Sequence, residues 1–199
     1  SNKGPNTYTI DTYDLLSSET KKEILNFATS DIMLSTAARY LGVFPILSRI
    51  LVNYNIPNNP QNQRGAMLWH RDDFGYKSLD LFLSVTDIDD DNGPFFALKE
   101  KLELGIFYNF KNYDNFQDKG YRGKFSEKNF IEAIKEYSKL DNKGSSGTGI
   151  LIDSFTSFHK GGNCQKKNRI ILRISYQTVD SIALIPHNNI FRYDPEIKK

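Results

Sequence analysis

Cysteine is almost absent. Cys164 is the only one in 199 residues, so the chain cannot close a disulfide on itself and suits a reducing compartment. Histidine is nearly as scarce, with three in all, so chemistry that needs imidazole must draw on His70, His159 and His187. Neither sign of charge dominates: 26 basic residues face 24 acidic ones, for a net +2. That balance lacks the electrostatic footprint of a nucleic-acid binder or of a protein held on an anionic membrane. No apolar run approaches the roughly 18 residues needed to cross a bilayer. A cytoplasmic protein that binds neither nucleic acid nor membrane is the expectation.

What is present points to a folded domain. Hydrophobic residues make up 39% and charged ones 25%, a globular balance. The 14 Phe and 11 Tyr suit pleated surfaces, where flat side chains pack well. The length fits one domain over residues 1–199, with a sizeable core.

Residues 1–16 read as an extended lead-in and Thr20-Lys21-Lys22-Glu23 as a capping box, which predicts a helix over about 19–29. Apolar residues from Ile32 to Leu51 recur at helical spacing, interrupted by Gly42 and Pro45, so two helical pieces are expected there. The helical lead-in thus covers about 17–52. Asn53 to Arg64, with Pro57 and Pro60, reads as a loop. Leu79, Leu81, Leu83 and Val85 alternate with polar residues and predict one face of a strand, closed by the turn from Asp87 to Gly93. Ile106 to Phe110 suits another strand, 111–125 a loop placed to act as a lid, and Ser126 opens a helix that Asn142 to Gly149 ends. Ile150–Ile152 and Arg169–Thr178 read as strands. Helices first, then strands with one helical insertion, indicate a mainly β (α+β) antiparallel domain, best solved as a double-sheet jelly roll.

The informative stretch is Trp69-His70-Arg71-Asp72. On a strand, residues two apart leave the same face, so His70 and Asp72 can take neighbouring positions on one metal ion. His159 is the best third ligand. Two imidazoles and a carboxylate on one side of an ion leave the other side open, as a non-haem Fe(II) centre requires. The plainer reading makes His70 a packed histidine and His159 a loop cap.

Along the last strand Arg169, Ile171, Arg173 and Ser175 share one face. If that face is inward, two unpaired guanidiniums would lose several kcal/mol of hydration. A bound dicarboxylate would resolve this through paired hydrogen bonds. If the face is outward, both are simply solvated. Lys77 and Asp73 read as an exposed pair, Cys164 as a bystander near the site, and His187 as an exposed tail residue.

The stretches WHRD, LFLSVTDIDDDNGPF, GTGILIDSFTSFHKGGN and NRIILRISYQT together resemble the phytanoyl-CoA dioxygenase family of Fe(II)/2-oxoglutarate oxygenases. The likeness covers about 67–178, and more weakly ARYLG and FPIL before it. It implies a double-stranded β-helix (jelly-roll) core over that range, with His70, Asp72 and His159 binding Fe(II) and Arg169 binding the distal carboxylate of 2-oxoglutarate. It also implies O2-dependent hydroxylation of a small-molecule substrate, with release of succinate and CO2. Arg173 is then either a ligand for an acidic group of the substrate or an ion-pair partner. Two departures stand out. Phe95 to Lys99 replaces the family's Pro-Gly-Ser-His segment, on the substrate side. Gly161 stands where a small hydroxyl residue often assists the arginine. Halogenating relatives lack the carboxylate, so Asp72 favours hydroxylation. The rival readings are a cupin-like metalloenzyme that does not use 2-oxoglutarate and a non-catalytic ligand-binding jelly roll.

Overall fold

A computed structural model of the protein describes residues 8–58, 65–72, 77–99 and 137–179. In chain order the strands are β1 (Thr9–Asp11), β2 (Ile46–Asn55), β3 (Ser78–Ser84), β4 (Phe96–Leu98), β5 (Lys139–Asp141), β6 (Gly149–Ile152), β7 (His159–Lys160) and β8 (Arg169–Gln177). Two helices, α1 (Ser18–Ala28) and α2 (Asp31–Leu41), fall between β1 and β2. The strands form two sheets, ordered β1-β2-β8-β3-β6 and β5-β4-β7, with every pairing antiparallel.

The central pair β3–β8 is covered on both sides. Leu79, Leu81, Leu172, Ile174 and Tyr176 turn to one side and meet Ala28, Met33, Ala37 and Leu41 of the helices. Tyr176 also donates its hydroxyl hydrogen to the carbonyl of Ala28 at 2.6 Å, tying α1 to the sheet. Phe82 and Ile171 turn to the other side and join Ile150, Ile152, Phe95 and Ala97 beneath the smaller sheet. The leucine alternation is therefore realised, except that Val85 lies past the end of β3 and is 45% exposed.

Three expectations need correction. The cap of α1 is Ser17, whose hydroxyl accepts from the amide of Thr20 at 3.1 Å, so the helix starts earlier than the Thr20–Glu23 box implies. The second helical piece does not exist: α2 ends at Gly42, left-handed at φ 79°, and Ile46–Asn55 is the longest strand. The helical spacing there was coincidental. Ile46, Ile50 and Val52 are β-branched, and β8 needs a partner opposite β3; pairing runs from Ile46↔Gln177 to Asn55↔Arg169, with one irregularity between Leu47 and Arg49. Lys139–Asp141, expected at the end of the inserted helix, is a strand paired with Phe96–Leu98. Tyr137 and Ser138 are not helical; the 126–136 part of that helix, the 106–110 strand, the 111–125 lid, Asp73 and His187 lie outside the described residues. Among the described residues no helix is long and apolar enough to cross a membrane.

The turn after β3 is locked to the loop after β7. The side chain of Asn92 accepts from the amide of Asp89 at 2.7 Å and donates to the carbonyl of Asp87 at 2.6 Å. Gly93 follows with φ +66°, and a methyl group there would lie 2.3 Å from the carbonyl oxygen of Asn163. Gly42 has a similar φ but open space around it. Gly42→Ala should therefore cost only the left-handed penalty of about 1–2 kcal/mol. Gly93→Ala should cost clearly more, because backbone must move. Urea unfolding midpoints of the two variants check the difference; equal losses would contradict the interlock.

Candidate metal centre

The two remote histidines meet through their backbones. His70 and His159 form an antiparallel bridge in which each amide donates to the other's carbonyl, at 3.0 and 2.9 Å. Opposed residues of such a pair project their side chains to the same side, and the imidazole centroids lie 4.4 Å apart. The extended segment continues to Asp72, whose amide donates to the carbonyl of Ser154 at 2.9 Å. Asp72 thereby returns to the face of His70. Its Oδ1 lies 3.5 Å from Nε2 of His70 and 3.7 Å from Nε2 of His159. One donor atom from each of the three residues falls within 4.8 Å of the others, a spacing that suits one cation.

The far nitrogens are spoken for. Nδ1 of His70 is 2.7 Å from the carbonyl of Leu68, and Nδ1 of His159 is 3.1 Å from that of Ser157. A carbonyl only accepts, so each Nδ1 carries a hydrogen and each Nε2 is the nitrogen turned to the cluster. Burial pushes the pKa of His159 down to about 4, against the opposing pull of Asp72. Burial alone would raise the Asp72 carboxyl, but Arg173 and the two histidines hold it well below the usual carboxylate range. At neutral pH the cluster thus offers a neutral His159 and a charged carboxylate, the forms in which these groups bind metal.

Both arginines of β8 face inward. Arg169 is buried at 5% exposure; its Nε donates to Oδ1 of Asn55 and its Nη2 to the carbonyl of Gly162, both at 3.2 Å. Its Nη1 is buried without a hydrogen-bond partner. Arg173 takes the ion-pair alternative. Its Nη2 donates to Oδ2 of Asp72 at 2.6 Å and to Oδ1 of Asp80 at 2.9 Å, and its Nε donates to Asp80 at 3.1 Å. Burial opposes its charge, but Asp80 and Asp72 together raise its pKa above the ordinary arginine value. Phe82 and Phe95, stacked with centroids 4.2 Å apart, form an apolar wall beside His159.

The structure thus brings together His70, Asp72, His159 and Arg173. It places Arg169 on the same inward face of β8, and Cys164 in the loop after β7, buried with its thiol on the carbonyl of Asn92. Two residues escaped the sequence reading. Asp80 was hidden among the leucines of β3, and Asn55 sat in a stretch read as loop. An acid centred in an apolar strand was the available signal for the first; Asn55 had none, because its role depends on register with Arg169.

No family model and no curated protein matches the sequence. Solved structures do share its fold. AviO1 from Streptomyces viridochromogenes Tue57 is 14% identical, with 94% of this chain and 72% of that one covered and a TM-score of 0.55. EctD from S. alaskensis, solved with 2-oxoglutarate and 5-hydroxyectoine, is 17% identical over 87% and 57%, with a TM-score of 0.57. EctD has also been solved with bound Fe. The non-heme alpha ketoglutarate dependent epimerase SnoN from nogalamycin biosynthesis is 16% identical over 88% and 65%, with a TM-score of 0.54. The chain thus spans less than two thirds of the length of EctD and SnoN. At these identities the likeness establishes the fold alone.

The buried histidine gives the fold a pH signature. Unfolded histidine takes a proton near 6.5, whereas folded His159 resists down to about 4. The unfolded chain therefore binds more protons between those values, and stability falls as pH drops through them, by up to about 1.4 kcal/mol per unit. Asp72, held ionised in the fold, adds a further loss below the usual carboxylate range, about 3.9. Urea unfolding of chelator-treated protein from pH 7 to 4 should show the first slope, and His159→Gln should flatten it. A wild-type profile already flat over that interval would contradict the assignment.

Proposed function

We propose that the protein is an Fe(II)- and 2-oxoglutarate-dependent dioxygenase of the phytanoyl-CoA dioxygenase family, with a double-stranded β-helix core and one catalytic domain, hydroxylating a small-molecule substrate. The observation that carries this reading is the convergence of His70, Asp72 and His159, with all three donor atoms within 4.8 Å. A second supports it: Arg169 holds a buried Nη1 without a partner, and a buried guanidinium nitrogen calls for an anion.

His70, Asp72 and His159 would hold Fe(II) through the two Nε2 atoms and Oδ1. Three protein ligands on one side of the ion suit a site that must admit further donors. When bound, iron and 2-oxoglutarate supply coupled decarboxylation and oxidation with O2, giving succinate and CO2. The protein's part is to orient and to exclude. The Leu68 and Ser157 carbonyls fix the imidazole rings. Asp72 would bring one negative charge to the dication, where halogenating relatives carry no carboxylate. Arg169 would grip the distal carboxylate of 2-oxoglutarate, with Asn55 and the Gly162 carbonyl aiming it in place of the missing hydroxyl at Gly161. Phe82 and Phe95 keep water from the His159 side. Arg173 is assigned to Asp72 and Asp80 rather than to substrate.

Anaerobic addition of Fe(II) and then 2-oxoglutarate should produce the weak visible charge-transfer band of a chelate, and O2 should then release succinate. Arg169→Ala should weaken 2-oxoglutarate binding by about 2–5 kcal/mol, the cost typical of truncating one partner of a buried charge pair. His159→Ala should abolish the band. Absence of the band in wild-type protein that binds Fe(II) would favour a metalloenzyme that does not use 2-oxoglutarate.

A further inference from the structure

We propose that Asp80 and Arg173 are positioning residues that force Asp72 to serve the metal through a single oxygen. This inference rests on the metal reading given above and goes beyond it. The geometry divides the Asp72 carboxylate between two tasks. Oδ1 faces the two histidine Nε2 atoms at 3.5 and 3.7 Å. Oδ2 receives the Arg173 Nη2 hydrogen at 2.6 Å. A carboxylate with one oxygen engaged by a guanidinium cannot readily turn both oxygens to an ion.

The clamp is itself held in place. Asp80 is 1% exposed and accepts from five donor atoms. Oδ1 takes Nε and Nη2 of Arg173 and the hydroxyl of Ser175; Oδ2 takes the hydroxyl of Ser154 at 2.6 Å and that of Ser78 at 2.9 Å. Every lone pair of that carboxylate is used, so Asp80 is an anchor and not a ligand. The strands set the reach: Asp80 lies opposite Ser175 and Phe82 opposite Arg173 across the β3–β8 ladder, with the guanidinium 5.0 Å from the Phe82 ring centroid. With its Nε edge on Asp80 and its face over Phe82, Arg173 is held so that Nη2, shared with Asp80, also reaches Oδ2 of Asp72.

A purely structural account makes the triad a buried ion-pair network. Such networks are poor stabilisers, since desolvation cancels most of the attraction and apolar replacements often do as well. The asymmetry at Asp72 has no part in that account. It matters for a metal site: a carboxylate spanning two positions would remove one that must stay open for the chelating cosubstrate or for O2.

Asp80→Asn keeps the shape of the anchor but weakens its hold on Arg173. Arg173→Lys keeps the cation but lacks the fork needed to span two carboxylates. Anaerobic titration with Fe(II) alone, in competition with a chelator, should show binding about 10- to 100-fold weaker in both variants, the range seen when outer hydrogen-bond partners of metal ligands are removed. At saturating Fe(II), addition of 2-oxoglutarate should give a charge-transfer band displaced from the wild-type position. Circular dichroism on metal-free protein establishes that each variant is folded, and Arg173→Lys carries the comparison if Asp80→Asn is not. Folded variants that melt earlier yet bind Fe(II) within twofold of wild type, with the band unmoved, would reduce the clamp to a structural ion pair and overturn the inference alone. Failure of the wild-type protein to bind Fe(II) would bring down the metal reading and this inference with it.

Discussion

Two backbone hydrogen bonds between His70 and His159 carry the architecture of the site. They join one segment that leads into β3 with another just before β8, so residues remote in sequence share one rung of a ladder. Side-chain direction in an antiparallel pair then follows from pleating. Asp72, two residues further along, returns to the same face. The sandwich above and below supplies rigidity, with helices on one side of β3–β8 and the smaller sheet on the other.

Charge placement follows from that arrangement. The site holds a partly buried carboxylate, a buried carboxylate and two inward guanidiniums, beside buried serines and the apolar side chains of Phe82, Phe95 and Ile171. Arg173 is satisfied by Asp72 and Asp80, whereas Arg169 retains an unused donor. One arginine therefore organises the protein, and the other is left with binding capacity. The two lie on the same face of one strand and differ in what surrounds them: Asp80 of β3 and Asp72 meet Arg173, whereas Asn55 of β2 and the Gly162 carbonyl meet Arg169.

Much of this was legible in the sequence, and the remainder was not for physical reasons. The His-x-Asp pair, the distal histidine and the alternation along β8 depend on local periodicity, which a sequence displays. The inward orientation of Arg169 and Arg173 was one of two readings, decided by the sheet that covers them. Ile46–Asn55 was misread because Phe44, Leu47 and Leu51 fall at helical intervals, while the unpaired edge of β8 makes that segment a strand. Tertiary pairing overrode the local pattern. The same holds for Lys139–Asp141, which pairs with β4 where the sequence reading continued a helix. Asp80 and Asn55 act through cross-strand register, which no window along the chain reveals. The cap at Ser17 was missed by one turn because Ser17 and Thr20 are both good capping residues.

The central claim is that one cation sits among three particular atoms. Crystals soaked anaerobically with an Fe(II) salt and measured across the iron absorption edge would locate it directly. The account predicts a single strong anomalous peak in bonding contact with Nε2 of His70, Nε2 of His159 and Oδ1 of Asp72, and none on Asp80. A featureless map at that position, or a peak held by other residues, would contradict it.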